Sequence, residues 1–280
     1  MNRTEADTAT FGPDVAELFG RLVRRGASYD LSHEIAPGIP VYGPHAPYTI
    51  TPHRRHGDPH AGPRAGGSSF ANEVLVTSSH IGTHVDAIGH FSRDGLVHGG
   101  CPADQIETHA GLTHLDATEI APYWRRGVLL DVAGFRNVDA LGGAEAISAE
   151  ELAATAAHRG VTIGAGDVVL VRTGWARHWN DAVRFNNVGG GYPGPDDSAA
   201  HWLVDRGVHS VGSDTAAFEC IPSPGDSVHA ILLVDNAVHI VENLNLERLA
   251  ADGIYEFLFV GLPLRIAGAT GSPLRPIAMC

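Results

Sequence analysis

The stretch Ser79–Phe91 constrains this chain more than any other, because it places three histidines and one aspartate at even-numbered positions within thirteen residues. Side chains two, four or six apart on an extended chain leave from the same face. His80, His84, Asp86 and His90 therefore share a direction, while Ile81, Val85 and Ile88 supply apolar anchoring. A straight strand would hold the Cα atoms of His80 and His84 about 13 Å apart, at about 3.3 Å per residue. Metal–ligand bonds of about 2.1 Å barely close such a gap. A bend is required between them, and Gly82 is the residue that permits one. The expectation is a strand that breaks at Gly82-Thr83 and folds His80 back towards His84 and Asp86.

A chain with 17 histidines produces clusters by chance, and His80 with His84 also fits an i,i+4 pair on a solvated helix. That reading leaves the acid, the turn glycine and the further histidine in the same phase unexplained. Neutral imidazole together with carboxylate suits a divalent ion such as zinc or manganese. Three protein ligands leave coordination positions open, which catalysis requires.

The rest of the composition removes competing classes. A formal charge of −13 argues against a nucleic-acid or anionic-membrane partner, since phosphate binding needs clustered lysine and arginine. Cys101, Cys220 and Cys280 are widely spaced, giving neither a disulfide framework nor a thiolate zinc site. No apolar run approaches the roughly 20 residues of a membrane span. Met1–Thr10 is polar and acidic, unlike a signal peptide, so a cytoplasmic location is expected. A chain of 280 residues can bury one large core.

In chain order, residues 1–10 are expected to fray. Gly12-Pro13-Asp14 opens a helix to about Arg25, with Val15, Leu18, Phe19 and Leu22 on one face and Gly26 as its stop. Residues 28–33 read as a short strand, followed by a segment punctuated by Pro37, Pro40, Pro44 and Pro47. Residues 53–69 lack any hydrophobic period and read as a lid loop running into a strand over 70–78. His98, His109 and His114 have no partner spacing. Gly127–Val132 and Asp167–Arg172 are buried-strand patterns, separated by a helix to Arg159 that Ser148 and Glu151 open as a capping box. A helix from Asp197, strands over 208–212 and 237–241, a helix or strand over 229–234, and final strands over 254–261 and 262–267 complete an α/β pattern. The organisation reads as an N-terminal extension and helix over 1–26 and a single domain over 27–280.

His80, Gly82, Thr83, His84, Asp86, His90 and Phe91 together resemble the signature of the cyclase family of metal-dependent hydrolases, of the kynurenine formamidase and isatin hydrolase kind. Asp30–His33, Arg172–Trp175, Gly212–Thr215 and Glu242–Leu244 are similar to further motifs of that family. The resemblance implies a swivelling β/β/α fold and a homo-oligomer, commonly a dimer or tetramer. It implies metal ligation by His80, His84 and Asp86, with His90 as the catalytic histidine. By the same likeness His229 and Glu242 hold a second ion in two-metal members; Ala230 stands where many relatives carry another histidine.

The chemistry expected is hydrolysis of a C–N amide bond, in an aryl formamide or a cyclic amide such as an isatin-like lactam. A bound divalent ion activates water, and His90, with an ordinary pKa of about 6.5, suits moving the proton. Glu242 shares that task if only one ion binds. Phe91 and Trp175, with Trp179 and Tyr192, are candidates for contact with an aromatic small-molecule substrate. The competing readings are a cyclase, dehydratase or lactone hydrolase acting on a hydroxy acid or lactone, and a non-catalytic binding protein.

Overall fold

A computed structural model describes residues 13–58 and 67–280. The backbone is a nine-stranded mixed sheet assembled from β1 (Ser28–Asp30), β4 (His84–Asp86), β5 (Tyr123–Asp131), β6 (Val168–Arg172), β7 (Ser210–Ser213), β8 (His239–Glu242), β9 (Glu256–Gly261), β10 (Gly271–Pro273) and β11 (Ile277–Met279). Their spatial order is β1-β11-β9-β5-β6-β7-β8-β4-β10. The four central strands, β5 to β8, run parallel, and antiparallel strands extend both sides.

Central parallel strands are covered on both faces, which explains why β6 (Val-Val-Leu-Val-Arg) is buried along its whole length. Alternate residues feed two cores. Val128, Leu130, Val169, Val171, Val211 and Ile240 pack with Leu152, Ala199 and Leu203 of helices α2 (Ala149–Arg159) and α3 (Asp197–Val204). Leu129, Val168, Leu170 and Val241 face the other way, onto Phe257, Phe259, Leu244 and Leu249. Only the N-cap half of the expected capping box forms: Ser148 Oγ accepts from Glu151 N at 3.4 Å, while the Glu151 carboxylate accepts from the Arg136 guanidinium; Gly160 closes α2 in the left-handed region.

Several sequence-based boundaries shift, each for a tertiary reason. Helix α1 (Pro13–Leu22) stops before Arg25, because Arg25 N and Ala27 N both donate to the carbonyl of Cys280 beyond β11. Phe19, expected on its apolar face, is exposed, whereas the side chains of Val15 and Leu18 and the whole of residues 1–10 lie outside the described residues. The expected strand over 262–267 is irregular: Pro263 lacks a donor, and among the described residues no neighbouring strand pairs with it. The sheet is completed instead by β10 and β11. The expected lid loop begins as a strand, since β2 (Thr49–Arg54) pairs antiparallel with β3 (Asn72–Val76) in a hairpin of its own. Residues 59–66, within the expected lid, lie outside the described residues. Among the described residues no helix is long and apolar enough to cross a membrane.

Candidate metal centre

Strand β4 is short and fully buried, and its alternation sends His84 and Asp86 to one face. Across the antiparallel pairing with β8, Glu242 stands directly opposite His84, so the register alone adds a second carboxylate. Before β4 the chain turns at Gly82, whose φ of +57° is open to glycine at little cost. The bend expected from distance is therefore present, and it folds His80 onto the same group. Thr83 and Asn243 lock the turn: Thr83 Oγ1 donates to the Asn243 carbonyl at 2.6 Å, and Asn243 Nδ2 donates to the Gly82 carbonyl at 3.1 Å.

That same carbonyl decides a tautomer. His84 Nδ1 lies 2.8 Å from the Gly82 oxygen, which can only accept, so Nδ1 carries the proton and Nε2 keeps its lone pair. The Nε2 atom faces Asp86 Oδ1 at 3.6 Å and Glu242 Oε2 at 3.4 Å. His80 is turned the other way, with Nε2 at 2.9 Å from Thr270 Oγ1 and Nδ1 at 2.8 Å from Asp86 Oδ1. His229 closes the group from just before the π-helical turn Ala230–Asp235, its Nε2 at 3.3 Å from Glu242 Oε1 and 3.8 Å from Asp86 Oδ2.

Five of these atoms are buried and make no hydrogen bond: His80 Nδ1, His84 Nε2, both Asp86 oxygens and Glu242 Oε1. The close approach of His80 to Asp86 is thus a contact without hydrogen-bonding geometry. Buried polar atoms left unpaired cost of order 1–3 kcal/mol each, and a cation satisfies several at once. They fall into two groups, His80/His84/Asp86 and Asp86/His229/Glu242, in each of which the ligand atoms lie within 4.8 Å of one another. Asp86 belongs to both, one oxygen towards each. The residues present fit divalent-cation binding, with His80, His84 and Asp86 as one candidate ligand set and Asp86, His229 and Glu242 as another.

Charge is distributed accordingly. Burial alone would raise Asp86, but His90, His80 and His84 outweigh it and hold its carboxyl well below the usual range. Glu242, penalised by burial and by Asp86, is still held low by the neighbouring imidazoles of His229 and His84. Burial opposes charge on His84, yet Glu242 and Asp86 raise it. His90, in the 3-10 turn Ile88–His90, behaves differently: burial pushes it down to about 4 despite the pull of Asp86. Its ring stands 4.2 Å from that of His80 and 6.4 Å from that of His229, so it borders the centre as a neutral imidazole at pH 7.

All the sequence-expected residues of the centre are therefore brought together: His80, His84, Asp86, His90, His229 and Glu242. Phe91 joins them, with its ring 5.3 Å from that of His229. Trp175 does not. It is buried, its indole N–H donates to the Phe185 carbonyl at 2.9 Å, and its ring packs edge-on to Tyr192 at 6.1 Å. The apolar chemistry that suggested a substrate contact serves the core, and Trp175 supports the wall that Tyr192 presents. Trp179 likewise stacks on His33 at 4.0 Å. Tyr42, Pro44, Tyr192, Ile221 and Pro222 help line a cavity of about 400 Å³ whose Tyr42 ring lies 5.7 Å from that of His45.

Sequence reasoning missed His45, Glu219 and Thr270. The His45 ring lies 5.1 Å from that of His80, and its Nδ1 is buried without a partner. A histidine in the proline-rich 36–48 segment was visible, but nothing in its spacing set it apart. Glu219 binds His229 at 2.6 Å, and its only sequence signal is an acid ten residues ahead of a candidate ligand.

A mixed α/β sheet carrying a buried histidine–carboxylate group able to hold divalent cations is the class that fold and site define. The chain belongs to the cyclase family: residues 29–220 match the profile described as "Putative cyclase". Among curated proteins it is 28% identical over 221 residues to an isatin hydrolase of Roseibium aggregatum, covering 76% of each chain. It is 31% identical over 206 residues to a kynurenine formamidase of Bordetella petrii, covering 71% of this chain and 76% of that protein. A crystal structure described as a novel cyclase superposes with a TM-score of 0.86 at 29% identity, covering 96% of this chain and 91% of that one. Isatin hydrolase A from Ralstonia solanacearum gives 0.69 at 25% identity, covering 98% of both. The two curated relatives are hydrolases. The matched residues, 29–220, include the His80/His84/Asp86 group and stop before His229 and Glu242.

Proposed function

We propose that this chain is a metal-dependent hydrolase that cleaves the C–N amide bond of a small aromatic substrate, an aryl formamide or a cyclic amide such as an isatin-like lactam. The observation that carries the reading is the set of five buried, unpaired ligand atoms converging on Asp86 beside a neutral His90. His80, His84 and Asp86 would hold one zinc or manganese ion; Asp86, His229 and Glu242 would hold a second. Such an ion, when bound, lowers the pKa of water towards about 7 and polarises a carbonyl as a Lewis acid.

The chain's own residues handle the proton and the ring. An amide nitrogen leaves poorly until it is protonated. His90, unprotonated at neutral pH, accepts a proton from the attacking water and returns it to that nitrogen. Were a single ion bound, Glu242 would face the reaction with a free oxygen and share this role. Phe91 at the centre, and the Tyr42 and Tyr192 rings of the cavity reached through His45, suit a flat aryl group. The exposed apolar residues of the β2–β3 hairpin, Ile50, Val74, Leu75 and Val76, support a homodimer or homotetramer.

The test is turnover of isatin, N-formylkynurenine, a cyclic imide and a lactone by the purified chain. Amide or lactam cleavage that disappears with chelator and in His84→Ala is expected. Turnover of the lactone alone, or cleavage that survives both treatments, would overturn the reading.

A further inference from the structure

Each of the three histidines in the two candidate ligand groups presents one ring nitrogen inward, and each has its other nitrogen held from behind. The holders differ. His84 Nδ1 is held by the neutral Gly82 carbonyl at 2.8 Å, and His80 Nε2 by the neutral Thr270 hydroxyl at 2.9 Å. His229 Nδ1 is held by a carboxylate, Glu219 Oε1, at 2.6 Å. We infer that Glu219 is a positioning residue that fixes His229 for the cation shared with Asp86 and Glu242.

Geometry supports this role on three counts. Glu219 Oε1 accepts the Nδ1 proton, so Nε2, which faces Glu242 and Asp86, is the nitrogen left for a cation to take. Its second oxygen accepts from Val228 N at 2.8 Å, so one carboxylate grips both the ring and the backbone that leads into it. Glu219 is itself buried, at 7% exposure, and follows Phe218, a fully buried residue with a φ of +51°. A bulky residue held in the left-handed region costs of order 1–3 kcal/mol and persists where surrounding structure demands it. A carboxylate behind a ligating imidazole fixes the ring's orientation and raises its basicity, and losing such a partner typically costs about 10–100-fold in metal affinity. The Asp86/His229/Glu242 position has one imidazole only, so it depends on that ring more than the His80/His84/Asp86 position depends on either of its own.

The inference rests on the two-ion reading above and is tested by a readout other than turnover. The metal-free full chain is titrated with Co²⁺, following heat and the visible absorption of cobalt, for wild type, Glu219→Ala, Glu219→Gln and His229→Gln. Wild type should take up two ions. In Glu219→Ala the second should bind about 10–100-fold more weakly while the first is unchanged. Glu219→Gln should fall between, because its single amide oxygen cannot serve both the Nδ1 and Val228 donors; this isosteric variant carries the test if the alanine fails to fold. His229→Gln should abolish the second binding step. Both ions binding to Glu219→Ala and Glu219→Gln as in wild type would overturn the role of Glu219 while leaving the two-ion reading intact. Equal weakening of both ions with a lowered melting temperature would also overturn it, showing a role in the fold alone. Uptake of a single ion by wild type would overturn the inference together with the two-ion reading.

Discussion

Gly271→Ala should weaken one half of the centre without replacing a ligand. Gly271 pairs with Asp86 across β4 and β10, and the His80 ring lies beside it. A Cβ built there falls 2.7 Å from His80 Cε1, 3.0 Å from Nε2 and 3.0 Å from the Val85 carbonyl, where ordinary contact begins at 3.4 Å. The carbonyl belongs to the sheet ladder and cannot yield, so the ring must retreat by about 0.7 Å, the difference between 3.4 and 2.7 Å. That retreat breaks the 2.9 Å contact of Nε2 with Thr270 and swings Nδ1 off Asp86. Metal–ligand distances tolerate about 0.2 Å, several-fold less than the displacement. Affinity at the His80/His84/Asp86 position should fall by about 10–100-fold, the usual loss when a ligand's supporting partner goes. The Asp86/His229/Glu242 position should be spared. Calorimetric titration of the metal-free protein with Zn²⁺ reads both steps. Gly20→Ala is the control: it sits in helix α1 with nothing within 4 Å of its new methyl, and should stabilise slightly with unchanged metal binding. Wild-type affinity for both ions in Gly271→Ala would refute the placement of His80 as a ligand.

Other expectations follow from single contacts. Asp86→Asn should lose both ions in elemental analysis, since one oxygen of Asp86 faces each group. His90→Gln should keep both ions and lose about 10²–10⁴-fold in turnover, the range of general acid–base catalysis. Acidification should destabilise the metal-free protein through His33 and His209, which burial pushes down to about 4. Below pH 6.5 the unfolded chain takes up protons that the folded chain refuses, so stability is lost as pH falls from 6.5 to 4, by up to about 3 kcal/mol for each. His229 works in the opposite sense: burial opposes its charge, but Glu219 and Glu242 raise it to about 10. It stabilises the metal-free fold below pH 6.5 and loses that contribution as pH rises through 10. The difference between wild type and a His33→Gln/His209→Gln double variant, in urea melts at pH 7 and pH 5, isolates the first effect.

Much of the centre was legible because its grammar is local. The phase of His84 and Asp86 on β4, and the bend at Gly82, follow from strand geometry and a distance. Ser148 with Glu151, and the continuous apolar runs of β5 and β6, are equally local. What escaped depends on pairing between distant segments. Gly271-Ser272-Pro273 has no strand pattern and becomes β10 because the edge of β4 is there to receive it. The Leu-Pro-Leu-Arg-Ile run over 262–266 has one, yet Pro263 and the lack of a partner strand among the described residues leave it irregular. The contact of His45 with His80 joins a proline-rich segment to the centre through the tertiary fold. Trp175 failed as a substrate candidate because an aromatic after a strand end can turn into the core as readily as out of it.

The central claim is that Asp86 bridges two cations, and an anomalous-difference map from crystals grown with Mn²⁺ tests it most directly. The account predicts two peaks, one among His80, His84 and Asp86 and one among Asp86, His229 and Glu242. A single peak that omits Asp86, or no peak at this group in crystals that bind manganese elsewhere, would contradict it.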